Sequence, residues 1–116
     1  MNFSLDSKND VQILRIHEER LDMEVAHDLK LQLLALLKDH HRKILLDLRD
    51  VEYADSTGLG AILFGLRQGR NFSAELKLVH LNERVLNLIR IAKLDDVVEA
   101  FDNEQEAIDS FASESF

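Results

Sequence analysis

The chain contains no cysteine. That excludes disulfides and thiolate metal sites. It contains no proline, no tryptophan and only four glycines. No linker rich in proline or glycine can divide it, and no repeat or low-complexity stretch is present, so one folded unit is expected. No apolar run approaches the roughly 18 residues that crossing a bilayer needs. The start, Met1-Asn2-Phe3-Ser4-Leu5-Asp6, lacks the basic-then-apolar order of a secretory leader. Positive charge is also scarce. Lys and Arg number 14 against 22 Asp and Glu, a formal net charge of -8. Such a surface repels nucleic-acid phosphates and anionic lipid. The expectation is a cytoplasmic protein that contacts neither nucleic acid nor membrane, with room for a protein partner that presents a basic patch.

What is present suits a globular domain. Hydrophobic residues make up 46% of the chain and charged residues 31%. Phe3–Lys8 and Val11–His17 read as two strands joined by the turn formers Asn9 and Asp10. A helix over Glu24–His40 carries Val25, Ala26, Leu29, Leu33, Leu36 and Leu37 on one face, with Leu31 and Leu34 off it. Lys43–Leu48 has an unbroken apolar centre, as a strand covered on both faces does. A loop over Arg49–Asp55 leads to a helix over Thr57–Arg70, then a strand over Glu75–Val79. Asn82 can cap the next helix, with Leu81 and Leu86 as its staple. Val97–Phe101 reads as a last strand, and Asn103 with Glu106 opens a final helix carrying Ala107, Ile108 and Phe111. Strands alternating with helices need crossovers and make parallel sheets. The expected fold is α/β: a mixed sheet of about five strands with an antiparallel N-terminal edge, flanked by about four helices. Residues 1–111 form the domain and 112–116 a tail.

The informative segment runs from Val51 to Gly60, after the central strand and into a helix. Asp55 or Ser56 can cap that helix, because short polar side chains accept bonds from the free amides of a first turn. The same end carries about half a positive charge, so a phosphate there is tolerated. Gly58 and Gly60 lack side chains and let another molecule approach the backbone.

Asp55-Ser56-Thr57-Gly58-Leu59-Gly60 resembles the signature of the STAS domain, and within it of bacterial anti-sigma factor antagonists. Arg20-Leu21-Asp22 and Ile44-Leu45-Leu46-Asp47-Leu48 also resemble the family pattern, in order and spacing over nearly the whole chain. One departure is Glu18-Glu19-Arg20, where the family often has a glycine shortly before its Leu-Asp pair. The resemblance implies a switch. The unmodified protein binds an anti-sigma factor that is also a serine kinase. The kinase phosphorylates the residue matching Ser56, with Thr57 as a second, minor acceptor, and a serine phosphatase reverses the mark. The resemblance further implies a monomer that acts through one-to-one contacts, with Asp22, Asp55, Thr57, Gly58, Leu59 and Gly60 at the partner surface.

Phe64 lies off the core face formed by Leu59, Ile62, Leu63 and Leu66, with Ala61 and Gln68 near it. It serves either as a docking ring or as packing under a neighbouring loop. Asp22 and Asp47 read as loop-organising carboxylates gathered near the Ser56 loop. The five histidines show no ligand spacing, so no metal or other cofactor is expected. Nor is an enzyme: Ser56 lacks a Gly-x-Ser-x-Gly elbow and no phosphate-cradling Gly-x4-Gly-Lys motif is present. Two other functions stay open beside the switch: a scaffold or small subunit that binds protein constitutively, and a sensor of a small ligand or nucleotide.

Overall fold

A computed structural model describes residues 1–112. Its strands are β1 (Phe3–Lys8), β2 (Val11–Ile16), β3 (Arg20–Leu21), β4 (Lys43–Asp47), β5 (Tyr53–Ala54), β6 (Glu75–Val79) and β7 (Ala100–Phe101). Its helices are α1 (Met23–Lys38), α2 (Ser56–Asn71), α3 (Glu83–Ile91) and α4 (Glu104–Ala112). Residues 113–116, most of the expected tail, lie outside the described residues.

Asn9 and Asp10 take positive φ values of 52° and 65° and close the β1–β2 hairpin. Two such residues in succession give the loop a twist that matches its strands. The main sheet has the order β1-β2-β4-β6-β7. Only β1 against β2 is antiparallel; the other three pairings are parallel. This is the expected mixed α/β sheet of five strands with four helices.

Side chains alternate across the strands, so the sheet feeds two cores. Leu14, Ile16, Ile44, Leu46, Leu76 and Leu78 join the buried faces of α1, α2 and α3. Val11, Ile13, Leu45 and Val79 join Ala107, Ile108 and Phe111 of α4. Lys77 is the buried cation on that second side. Its ammonium donates to Ser110 Oγ at 2.9 Å and lies 4.6 Å from the Phe111 ring centroid. Glu75 and Glu99 are within 3.5 and 3.6 Å, the pairing that a buried charge requires.

Four features depart from expectation. The last strand is shorter: only Ala100 and Phe101 pair, with Leu78 and Val79. The amides of Val97 and Val98 instead donate to the Leu94 carbonyl, and Val98 turns into the core. Helix α1 stops at Lys38 rather than His40, because His40 adopts a positive φ of 67°. The buried face of α2 is set by Gly58, Ala61, Ile62, Gly65 and Gly69 together with Leu59, so Ala61 is buried rather than outside beside Phe64. Finally, β3 and β5 form a second, two-stranded parallel sheet inside segments read as loops. Among the described residues no helix is long and apolar enough to cross a membrane.

Candidate functional site

The small sheet builds the site. Arg20 pairs with Tyr53 and Leu21 with Ala54, and the Asp55 amide donates to the Leu21 carbonyl at 3.3 Å. The starts of α1 and α2 therefore lie side by side. Each is capped by the aspartate that follows its strand. Asp22 accepts from the Val25 amide at 3.3 Å. Asp55 accepts from the amides of Thr57 at 2.9 Å and Gly58 at 3.1 Å. A third helix start joins them: Asn82 caps α3 through the Val85 amide and donates to the Val51 and Glu52 carbonyls. Three helix amino ends, each with unpaired amides and a partial positive charge, thus converge on one end of the molecule.

Ser56 is the first residue of α2 and is exposed. Among the described residues nothing hydrogen-bonds its hydroxyl. Its neighbour is different. The Thr57 hydroxyl donates to Asp55 Oδ1 at 2.5 Å. The Thr57 hydroxyl bond, followed by the Gly58 and Thr57 amides, holds the Asp55 carboxyl below the usual carboxylate range. One hydroxyl is thus committed and the adjacent one is free.

The other expected contact residues divide. Asp55 and Thr57 flank Ser56 in the chain, Asp22 shares a shallow hollow with Asp55, and all three are at least partly accessible. Gly58 and Leu59 are buried. A side chain at Gly58 would meet the Leu21 carbonyl of this same chain, whereas at Gly60 the space is open. Phe64 is half-buried, with the Lys30 ammonium of α1 5.8 Å from its ring centroid, so it leans on a neighbouring helix. Asp47 does not join the group. It is buried at the end of β4, where it accepts from Arg15 at 2.8 Å and from the Arg49 amide at 3.0 Å.

Sequence reasoning missed one cluster beside Ser56. The guanidinium of Arg20 lies 5.4 Å, and that of Arg84 4.6 Å, from the centroid of the Tyr53 ring. Arg84 comes from α3, so only the folded chain brings it there. A cleft of about 660 Å³ lies elsewhere, lined by Arg15, His17, Asp47, Arg49, His80 and Glu104 among others. Its polar groups are largely spent on each other. Arg15 bonds Asp6, Asp47 and Glu104; His17 bonds Asp50; Arg49 bonds His80. Ser56 is not part of it. Among the described residues no cluster of His, Asp or Glu could hold a metal ion.

Comparison with known proteins bears on this geometry. The family model described as STAS domain matches residues 2–107. The anti-sigma-B factor antagonist of Bacillus subtilis is 32% identical over 102 residues, covering 85% of this chain and 91% of the relative. The crystal structure of a candidate anti-sigma factor antagonist of Thermotoga maritima superposes with a TM-score of 0.84 at 32% identity, covering 93% of this chain and 92% of the other. The Bacillus cell-fate determinant SpoIIAA in its phosphorylated form shares the fold, with a TM-score of 0.72 at 17% identity over 95% of this chain and 99% of its own.

Proposed function

The chain belongs to the STAS domain family, among its anti-sigma factor antagonists, and on that footing we propose that it is a partner-switching protein controlled by phosphorylation of Ser56. Unmodified, it binds an anti-sigma factor and so frees a sigma factor. The anti-sigma factor doubles as the kinase, and a serine phosphatase resets the chain. The protein is the substrate of this chemistry and supplies no catalytic group. The Ser56 oxygen attacks the γ-phosphorus of ATP held by the kinase. The bond from that phosphorus to the β-γ bridging oxygen breaks, ADP leaves, and the serine proton passes to a base of the kinase. A cytoplasmic location follows from that partner.

One observation carries the proposal. The Ser56 hydroxyl is exposed at the start of α2 and unbonded among the described residues, while the adjacent Thr57 hydroxyl is tied to Asp55. An acceptor must expose its oxygen and leave its proton free to depart. Ser56 meets both conditions; Thr57 offers at most a minor route.

The phosphate acts on the contact, not on the fold. It adds about -1.5 to -2 charges at neutral pH. The helix end offsets about 0.3–1 kcal/mol of the resulting cost at an exposed position. The proposed partner-facing surface already contains Asp22, Asp55 and Thr57, with Gly60 open to close approach and Phe64 one turn beyond it along α2. A dianion inside that acidic contact adds repulsion and desolvation, and a loss of about 3 kcal/mol is already more than a hundredfold in affinity. Incubation with the cognate anti-sigma factor kinase and ATP, read by intact mass, should add one phosphate to the chain and none to Ser56→Ala. Calorimetry should then find strong binding only for the unmodified protein. Equal binding of both forms sinks the switch, and no uptake of phosphate points to a constitutive scaffold.

A further inference from the structure

The Arg20–Tyr53–Arg84 cluster is not explained by the stability of this chain. Both arginines sit at the end where three helices start. Arg84 is in the first turn of α3, and Arg20 lies two residues before the cap of α1. A helix start disfavours cations and favours carboxylates, so each arginine is held against the local field. Nor do ion pairs hold them there. Glu52 and Glu83 line the same hollow as Arg84, yet among the described residues neither arginine forms an ion pair; Glu83 reaches Arg90 instead. What holds both is the ring of Tyr53, the one tyrosine in the chain, which is 40% exposed.

The ring stands on a fixed base. The amides of Glu52 and Tyr53 both donate to the Glu19 carbonyl, at 2.8 and 3.1 Å, and Asn82 holds the Glu52 carbonyl. A guanidinium stacked on an aromatic face spends that face and leaves the N–H fork at its edge for a planar anion. Two such forks lie beside three helix amino ends, on a surface where Glu52 and Glu83 line the hollow of Arg84 and Asp22 and Asp55 that of Arg20, so they present isolated cationic points on a chain whose net charge is -8. Tyrosine and arginine are also the residue types that carry interface energy. The cluster is continuous with the Ser56 surface: Tyr53 precedes Ser56 by three residues on the same strand-to-helix turn, and Arg20 is its cross-strand partner.

We propose that Arg20, Tyr53 and Arg84 form a carboxylate-reading patch that docks an acidic segment of the partner kinase beside Ser56. The identity of that occupant rests on the proposed switch; the carboxylate chemistry of the patch does not. The partner then meets both signs, with basic groups toward Asp22 and Asp55 and acidic groups toward the arginines, which fixes its orientation.

The test uses the full chain and a blocked glutamate–glycine repeat peptide, with the glutamine–glycine peptide as control. Heteronuclear NMR should show the Arg20 and Arg84 side-chain N–H and the Tyr53 signals shifting with the glutamate peptide only. Arg20→Gln with Arg84→Gln should weaken binding at least tenfold without changing the melting temperature appreciably, since both side chains are exposed. Tyr53→Leu should weaken it severalfold by removing the platform. Shifts that are absent, that are the same with glutamine, or that survive the double variant overturn the assignment. Phosphate uptake at Ser56, read separately by mass, is untouched by any of these results, so the two proposals fail independently.

Discussion

Gly58→Ala isolates the contact that positions Ser56. The added methyl would lie 2.2 Å from the Leu21 carbonyl oxygen and 2.7 Å from Leu21 Cγ. An ordinary carbon–oxygen approach is about 3.3 Å, so a gap of about 1 Å must open. The obstacle is backbone and cannot rotate away. It belongs to β3, which is paired with β5 and accepts the Asp55 amide through that same carbonyl. Opening the gap therefore drags on the cap of α2. Overpacking costs about 1–3 kcal/mol, and a rigid obstacle places this case at the top of that range. Alanine returns about 1 kcal/mol of helix propensity. The net loss is about 2 kcal/mol, or about 8 °C in Tm for a domain of this size. Gly60→Ala is the internal control. Nothing lies within 4 Å of its added methyl, so it should gain about 1 kcal/mol and melt about 4 °C higher. Gly65→Ala falls between, since it meets only the ends of Leu33 and Leu76, at 2.7 and 2.8 Å. Thermal and urea unfolding of the three variants give the order directly. A Gly58→Ala protein that melts at or above the parent, or a Gly60→Ala protein that melts below it, refutes the steric reasoning. Because Gly60→Ala stays folded, it also reports on function: if a partner approaches the open backbone there, binding falls while stability rises.

Three further outcomes are expected. Thr57→Val removes the hydroxyl bond to Asp55, so the Asp55 carboxyl, now held low, should titrate closer to the ordinary aspartate range by NMR; an unchanged midpoint would show that the amides alone depress it. Glu104 is lowered to about 2, first by its bonds to Arg15 and then by Lys8. A depressed carboxylate contributes stability that is complete above its unfolded value of 4.5 and is lost as pH falls toward about 2, so Glu104→Gln should flatten the acid limb of the stability curve across that window; identical limbs would remove the network from the account. Phe111→Ala should cost about 3–5 kcal/mol, because the ring is fully buried between α4 and the sheet; a loss under about 1 kcal/mol in urea unfolding would mean that α4 is not needed to close that face.

The parts of the fold legible in the sequence are those with a long period or a strong local signal. The β1–β2 hairpin, the buried run of β4 and the caps at Asn82 and Asn103 all fall into this group. The cap of α2 was legible only as a choice between Asp55 and Ser56, and the folded chain uses Asp55. The pairing of β3 with β5 was not. Two residues carry no alternation to detect, and the pairing depends on Glu19 and Leu21 meeting a loop some thirty residues later. The aromatic–arginine cluster was hidden for the same reason, since it draws on two strands and the first turn of α3. Asp47 was misplaced because proximity in sequence to the loop says nothing about side: at the end of β4 it faces Arg15 and α4 rather than Asp22.

Helix α2 shows how a packing detail sets the exposure of Ser56. Reading its face from Leu59, Ile62, Leu63 and Leu66 centres the core side on the large residues. The buried set is instead Gly58, Leu59, Ala61, Ile62, Gly65 and Gly69, whose centre is rotated by about 80° at 100° per residue. Hydrophobic size misleads here because the missing side chains of the glycines are what let α2 close onto Leu21, Leu33, Leu76 and Ala74. The rotation decides where the hydroxyl goes. With the leucines central, Ser56 would lie about 70° from the middle of the core face, at its margin. With the glycines central it lies about 150° away, and Gly60 about 170°, on the line opposite the core. The exposure of Ser56 is therefore a consequence of small residues on the far side of its helix. A substitution that rolls α2 back should bury the Ser56 hydroxyl without touching it.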